Sequence, residues 1–447
     1  MKMGRLFGTD GVRGLANRKL SAELSFKLGL AASEVLLQGK KGRVLIGRDT
    51  RISGDLLLAA LSSGLMSGGV DVVNAGILPT PAVAYLTERE KFDAGIMISA
   101  SHNPVEDNGI KFFAHDGFKL NNQIEDQMES ALDGFNDLEK RPIGLDVGRF
   151  FSRKDLREHY LKHLQASVGE VDLKGVKIVL DCANGAASGL AKPIFEALQA
   201  EVIVLHNSPN GANINAQCGS TYPRDLQDNV LAQGADYGFA FDGDADRCLA
   251  VDEKGNLLDG DEMMAFLALN LKRDGLLHED TLVATVMSNI GLHRAMAQEE
   301  IKVEVSDVGD RYVLAKMQEG GYTFGGEQSG HFIFSHYATT GDGLLTALLM
   351  SRYLRKTSCK MSQAAALMQR YPQVLHNERV PDKTTIMNNE TFIKAIAQEE
   401  KLLEGEGRVL VRPSGTEPLI RIMVESKEKE QADAIALRLA QVVKTII

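Results

Sequence analysis

No stretch of the 447-residue chain approaches the roughly eighteen consecutive apolar residues needed to cross a bilayer, and no apolar segment follows the basic residues at the amino terminus. The expectation is a cytoplasmic protein. Cysteine is sparse: Cys182, Cys218, Cys248 and Cys359 lie far apart with no C-x-x-C pair, which argues against zinc ligands or a disulfide frame and reads as reduced thiols. Positive charge is in deficit. With a formal net charge of −10, a nucleic-acid binder working through a general basic face is excluded, so any anionic ligand must meet local clusters of Arg and Lys. Low-complexity segments are missing too. At 44% hydrophobic and 25% charged residues the composition is that of an ordinary globular protein. A length prior of roughly 150 residues per domain suggests about three domains, or four if one is small.

One pattern recurs three times: a β-branched apolar strand, a loop, an amphipathic helix and a second apolar strand. The first copy runs from 43–46 through a helix at 56–66 into 70–73, and the second from 176–180 through 190–198 into 202–205. The third runs from 282–286 through 292–297 into 301–305. A parallel strand pair needs a crossover rather than a tight hairpin, so the pattern predicts three related α/β domains. The last quarter differs, with strands at 408–411 and 419–424 around a Pro/Gly-containing loop and a helix at 428–445, which predicts a smaller α+β domain. Domain cuts are expected at 1–150, 151–254, 255–360 and 361–447, with linkers near 144–150, 251–255 and 356–361.

The strongest local signal is Asp242-Gly243-Asp244-Ala245-Asp246-Arg247, directly after the apolar stretch 237–241. Carboxylates at alternate positions of an extended segment point to one side, and like charges that close cannot all stay ionised without a cation. Oxygen-only ligands of this hardness suit Mg²⁺. The bland alternative is a solvated acidic turn. The second signal is Ser99-Ala100-Ser101-His102-Asn103-Pro104 after the strand 94–98, followed by Asn108-Gly109-Ile110-Lys111. A serine at a strand end sits where α/β sheets place their ligands. A G-x-S-x-G elbow is absent and His102 is merely adjacent, so a phosphorylatable serine beside a metal fits better than a hydrolase nucleophile.

Two loops offer binding rather than bond-breaking groups. In Arg412-Pro413-Ser414-Gly415-Thr416-Glu417-Pro418, with Arg421 beyond, guanidinium groups and hydroxyls surround a glycine that lets an anion approach the backbone. It would cradle a phosphate that is not reacting; the alternative is an ordinary hairpin loop. In Gly325-Gly326-Glu327-Gln328-Ser329-Gly330-His331, Glu327 and Ser329 can meet vicinal sugar hydroxyls, and His331 can bind phosphate or shuttle a proton, although a single histidine is more often structural. Gly309-Asp310-Arg311 and the opening Gly8-Thr9-Asp10-Gly11-Val12-Arg13-Gly14 are further glycine-flanked arginines, each weak alone.

Taken in order, F-G-T-D-G-V-R-G, S-A-S-H-N-P with D-N-G-I-K-F-F, D-G-D-A-D-R, G-E-Q-S-G-H and R-P-S-G-T-E-P resemble the α-D-phosphohexomutase superfamily over essentially the whole chain. The Gln328 form of the fourth motif, the opening motif and the serine loop are similar to the branch that acts on glucosamine phosphates. The resemblance implies an α/β protein of four domains in a heart-shaped arrangement around a central cleft, three related α/β domains and a smaller C-terminal α+β domain. It implies that Ser101 is a phosphoserine whose phosphate binds Mg²⁺ together with Asp242, Asp244 and Asp246, with Arg247 nearby. Glu327, Ser329 and His331 match the sugar loop, and Arg412, Ser414, Gly415, Thr416 and Arg421 the phosphate loop. Arg13, His102 and Lys111 fall at positions linked to charge stabilisation or proton transfer.

The implied reaction moves a phosphoryl group between the 6- and 1-oxygens of a hexosamine phosphate through Ser101, with a hexose 1,6-bisphosphate as intermediate and activator. Lys111, its pKa lowered by cations such as Arg13, is the first candidate base and His331 the second. The expected partner is a small-molecule hexosamine phosphate, with no nucleic acid and no membrane; a homodimer stays open. So do a preference for mannose or glucose phosphates, a metal-dependent phosphatase, and a non-catalytic sugar-phosphate binder.

Overall fold

Strands covered on both faces read as unbroken apolar runs, and Val44, Leu45 and Ile46 are all fully buried in such a strand. The structure, a computed structural model, describes residues 5–132, 141–414 and 417–447. It falls into two compact units: the residues up to Val286 with Lys302–Ala365, and Met287–Ile301 with Ala366–Ile447.

The first unit holds three sheets. The first contains β1 (Val12–Leu15), β2 (Arg43–Arg48), β3 (Asp71–Ile77), β4 (Ala94–Ile98), β5 (Asp107–Ala114) and β6 (Phe150–Ser152), in the order β1-β5-β4-β2-β3-β6. The second contains β7 (Lys177–Asp181), β8 (Glu201–Leu205), β9 (Tyr237–Phe241), β10 (Cys248–Asp252) and β11 (Leu257–Leu258), in the order β11-β10-β9-β7-β8. The third contains β12 (Thr281–Thr285), β13 (Lys302–Ser306), β14 (Phe324–Gly326) and β15 (Phe332–Phe334), in the order β13-β12-β14-β15. The strand pairs anticipated from the repeat, β2 with β3, β7 with β8 and β12 with β13, are all parallel.

The repeat reaches further than those pairs. In every one of these sheets a third parallel strand, β4, β9 or β14, joins the first strand of the pair and turns back into an antiparallel neighbour, β5, β10 or β15. The serine motif, the aspartate motif and the Glu327 motif occupy those three turns. One topology therefore places three different chemistries at equivalent hairpins.

One expected linker turns out to be part of a sheet, and another holds a short 3-10 helix, Gly144–Asp146, ahead of a strand. Residues 251–255 lie within the β10–β11 hairpin, where Gly255 N–H donates to Asp252 O at 2.9 Å, and the stretch before residue 150 leads into β6, which pairs with β3. The helix Ile290–Gln298 departs from expectation in another way. It connects β12 to β13, yet its residues group with the C-terminal unit, because the buried Glu425 accepts its first backbone N–H, from Ile290, at 3.0 Å. That unit also holds β16 (Gln373–Arg379), β17 (Gly407–Pro413) and β18 (Leu419–Ser426), antiparallel in the order β16-β18-β17, with the helices Glu390–Leu402 and Lys429–Ile446 packed on them. Among the described residues no helix is long and apolar enough to cross a membrane.

In the first sheet's domain the helices Ala22–Val35 and Ser53–Ser67 cross at paired glycines. A Cβ on Gly64 would stand 2.1 Å from the carbonyl oxygen of Phe26, and one on Gly29 would stand 2.3 Å from that of Leu61. Backbone contact of this kind tolerates no side chain. Gly64→Val should therefore lower stability by about 1–3 kcal/mol as the helices are forced apart; a thermal unfolding midpoint equal to that of the parent would contradict this.

Candidate active site

β4 is buried along its whole length and delivers Ser101 to the turn before β5. Ser101 is 1% exposed and adopts a left-handed backbone, φ +53°, a conformation that costs energy for any residue with a Cβ and persists only where surroundings impose it. Its hydroxyl donates to Asp242 Oδ2 at 2.5 Å, and His102 Nδ1 stands 3.4 Å from Ser101 Oγ. The approach of the two loops needs Gly243, since a Cβ there would meet the Ser101 carbonyl oxygen at 2.5 Å.

Asp242, Asp244 and Asp246 are buried, with ligand oxygens all within 4.8 Å of one another. Their environments differ. Asp244 Oδ2 accepts from Lys111 Nζ at 2.8 Å and from Thr80 Oγ1, and Asp246 Oδ2 accepts from Lys111 Nζ at 3.4 Å. The Oδ1 atoms of Asp244 and Asp246 are buried with no hydrogen-bond partner. Burial, then the charges of Asp246 and Asp244, push the Asp242 carboxyl well above the usual range. Burial opposes ionisation of Asp246 too, but Lys111 and His331 outweigh it and hold that group well below the usual range. Orphaned oxygens and a strained trio of acids are the donor set of a hard divalent cation, and they fit Mg²⁺.

Lys111, on β5, is 1% exposed and also reaches Asp10 at 2.9 Å. Asp10 in turn pairs with Arg13 and with Lys119, whose ammonium also meets Asp310. This network overturns one expectation. Burial works to lower the Lys111 pKa, but Asp10, Asp244 and Asp246 overcome it and raise the value well above normal, while Arg13 opposes them weakly. The shift is opposite in direction to the lowered value expected for Lys111, and its ammonium sits among carboxylates. His331, the second candidate base, is shifted the same way: burial favours its neutral form, but Asp246 and Asp310 outweigh it and raise its pKa. His102 behaves oppositely, pushed down to about 4 by burial and by Arg247 and Arg13, so its ring is uncharged at neutral pH.

The Glu327 turn joins this cluster through the backbone. Arg247 and His331 form a β-bridge, and Cys248 N–H donates to Gly330 O at 2.9 Å. Glu327 Oε1 accepts the backbone N–H of Gly309 at 2.9 Å, Ser329 is exposed, and His331 is buried with Nδ1 3.7 Å from Asp246. In the C-terminal unit Arg412 on β17 and Arg421 on β18 stand directly opposite each other. Burial and the facing Arg421 lower the Arg412 pKa; Arg421 Nε is buried without a hydrogen-bond partner, and Arg421 Nη2 meets Glu417 only at 3.9 Å. Ser414 is buried beside it and its carbonyl accepts from Lys383 at 2.6 Å. Gly415 and Thr416 lie outside the described residues.

Sequence reasoning assigned no role to Asp10, Thr80, Lys119 or Asp310 in the charge network, nor to Asp49 and Arg51 behind the serine loop. The available signal was position: Asp49 and Arg51 directly follow β2, the parallel neighbour of β4. A second grouping, Asp181, His206 and Cys218, also brings ligand atoms within 4.8 Å. There the two Asp181 oxygens already accept backbone N–H groups, from Ala183 and Gly219, each at 2.9 Å, so the cluster reads as a knot fixing loops.

Residues 4–136, 158–255, 259–371 and 375–442 match, in that order, family models described as Phosphoglucomutase/phosphomannomutase alpha/beta/alpha domains I, II and III and C-terminal domain. A phosphoglucosamine mutase of Desulforamulus reducens is 52% identical over 446 residues, covering 99% of this chain and 100% of its own. One from Clostridium acetobutylicum is 50% identical over 445 residues, covering 99% of each. The crystal structure of a phosphoglucomutase/phosphomannomutase family protein from Burkholderia thailandensis aligns with a TM-score of 0.80 at 25% identity, over 99% of this chain and 98% of that one. The fold is shared as well by Aspergillus fumigatus N-acetylphosphoglucosamine mutase, solved with GlcNAc-6P and magnesium, at TM-score 0.71 and 18% identity over 98% and 95% of the two chains.

Lys111 is the cation that neutralises Asp10, Asp244 and Asp246 together. Lys111→Met should cost about 3–5 kcal/mol in the metal-free protein, because it leaves buried carboxylates uncompensated. Added Mg²⁺ should recover part of the loss, so thermal midpoints with EDTA and with Mg²⁺ should diverge more in the variant than in the parent; equal differences would contradict the charge assignment.

Proposed function

The chain belongs to the phosphoglucomutase/phosphomannomutase family, and we infer from its full-length likeness to phosphoglucosamine mutases that it interconverts glucosamine 6-phosphate and glucosamine 1-phosphate. One observation carries the mechanism: Ser101 Oγ, in a strained loop, donates to a buried trio of carboxylates of which two oxygens lack any partner. We assign Ser101 as the phosphoryl carrier and Asp242, Asp244 and Asp246 as the Mg²⁺ ligands. A bound Mg²⁺ supplies charge neutralisation for the Ser101 phosphate and for the phosphoryl group in flight.

The phosphoserine gives its phosphoryl group to the free hydroxyl of the bound monophosphate. The P–Oγ bond breaks as the new P–O bond forms, and the proton of the attacking hydroxyl ends on Ser101 Oγ, leaving a glucosamine 1,6-bisphosphate and a free serine. That intermediate turns end for end, and Ser101 becomes the nucleophile toward the other phosphate. The Ser101 proton then has two acceptors at hand, Asp242 Oδ2, to which it already donates, and the neutral ring of His102. Lys111, Arg13 and Arg247 balance negative charge around the carboxylates.

We assign Glu327, Ser329 and His331 to the sugar. Arg412, Ser414 and Arg421, with Gly415 and Thr416, take the phosphate that is not being transferred. The facing guanidinium groups of Arg412 and Arg421, with Arg421 Nε buried and without a hydrogen-bond partner, support that choice. The four free cysteines support a reducing, cytoplasmic setting.

Ser101→Ala should lose nearly all interconversion of the two glucosamine phosphates while still binding monophosphate. Intact mass should show one phosphoryl group on the parent and none on the variant. Turnover above a few per cent in the variant defeats the carrier role. A clear preference for glucose or mannose phosphates defeats the substrate assignment, and stoichiometric release of inorganic phosphate would make the enzyme a phosphatase.

A further inference from the structure

Arg51 is fully buried, and of the fully buried side chains it is the bulkiest. A guanidinium carries five N–H donors in a fixed fork and cannot be left unpaired in an interior without large cost. All five are accounted for. Nε donates to Asp49 Oδ2 at 2.9 Å, Nη1 to the carbonyl oxygens of Pro104 and, at 3.1 Å, Asp107, and Nη2 to those of Ser101 at 2.9 Å and Asn103 at 2.8 Å. One side chain thus clasps four carbonyls of the loop that carries the nucleophile.

Asp49 supplies a second arm. Its Oδ2 accepts the Ser99 hydroxyl at 2.6 Å, and Ser99 Oγ accepts the backbone N–H of Ser101 at 2.9 Å. The amide and the carbonyl of Ser101 are therefore both tied to the segment that follows β2. That segment is itself fastened to the second sheet's domain: Thr50 Oγ1 donates to Asn184 O at 2.6 Å and Ile52 N–H to Gly211 O at 2.8 Å. From that domain Asn215 Nδ2 reaches the Ser101 carbonyl at 2.8 Å, beside the Arg51 contact. None of these groups touches the reacting oxygen. What they fix is the peptide on either side of a residue with φ +53°.

We propose that Asp49 and Arg51 are positioning residues for phosphoryl transfer, holding the Ser101 peptide left-handed so that its hydroxyl lines up with the aspartate trio. The proposal rests on Ser101 being the carrier. Strain at that residue is what aims Oγ at Asp242; without the clasp, the loop relaxes toward an unstrained backbone and the hydroxyl leaves its line. Displacement of a reacting atom by about 1 Å costs on the order of 100-fold in rate, while groups that bind the distant part of the substrate are untouched. A lysine at 51 keeps the charge but offers three donors from one point, too few and too compact for four carbonyls and a carboxylate.

The test uses the full-length enzyme with Mg²⁺. Arg51→Lys should lower kcat about 100-fold with KM within threefold of the parent, and single-turnover phosphorylation of Ser101 by glucose 1,6-bisphosphate should slow by the same factor. Arg51→Ala should regain activity in low-millimolar guanidinium chloride but not in sodium chloride of equal ionic strength. A kcat within threefold of the parent, or a loss confined to KM, overturns the proposal. Should Arg51→Lys fail to fold, Ser99→Ala carries the test, since it deletes one hydroxyl and severs only the amide arm: about a tenfold loss in kcat at constant KM supports the clasp, and no loss refutes it. Ser101→Ala run in parallel separates the two claims. If Ser101→Ala is inactive and Arg51→Lys is fully active, only the positioning role falls; if Ser101→Ala is active, the carrier reading falls with it.

Discussion

Three carboxylates buried with oxygens within 4.8 Å of one another repel one another strongly, since removal from water strips away the screening that lets acids crowd at a surface. Much of the first unit's polar interior follows from that constraint. Lys111 crosses from β5 to neutralise Asp244 and Asp246, and its own charge is shared with Asp10, which requires Arg13 and Lys119 in turn. The chain of compensation ends at Asp310 and His331. Even so, Asp242 stays hard to ionise and two oxygens stay unpartnered. A divalent cation at this site would relieve both conditions at once.

The repeated topology explains how such a cluster is assembled from distant sequence. Each α/β sheet turns its third parallel strand back at a hairpin, and those hairpins carry Ser101, the aspartate trio and Glu327. Gly243 lets the first two hairpins meet at backbone distance, and the Arg247–His331 bridge ties the second to the third. The segment following the first strand of the repeat braces the neighbouring hairpin in two of the sheets. In the first it does so through Asp49 and Arg51; in the second, Ala186 N–H donates to Gly243 O at 2.8 Å.

Strand content and parallel pairing were legible because burial on both faces writes itself as unbroken apolar runs, and the motif residues were legible because glycine, serine and acids stood together at strand ends. What stayed hidden depends on distance rather than spacing. Proximity to Arg13 alone implies a lowered pKa for Lys111, but the three carboxylates around it act more strongly and in the opposite direction. Arg51 carries no motif signal of its own, because its acceptors are backbone carbonyls, which every sequence has. The helix Ile290–Gln298 follows the crossover pattern of the third repeat faithfully, yet its partners lie far along the chain: Glu425 accepts from Ile290, and Arg294 reaches the Tyr371 hydroxyl and the Gly405 carbonyl.

The two compact units carry opposite imbalances. The first crowds three carboxylates within 4.8 Å of one another; the second holds Arg412 and Arg421 face to face on adjacent strands, where Arg421 meets Glu417 only at 3.9 Å. Neither arrangement is what stability alone would select, since like charges directly opposite across a hairpin weaken it. Each is what an anion or a cation would relieve: the proposed reaction asks for a cation held by acids at the serine and for fixed cations toward a phosphate that takes no part in bond breaking. Under the proposed function either phosphate is the bystander in turn, so a site for it gains by being generic. Charge and planar donors suit that task better than a shape complementary to one orientation of the ring, and two arginines supply them.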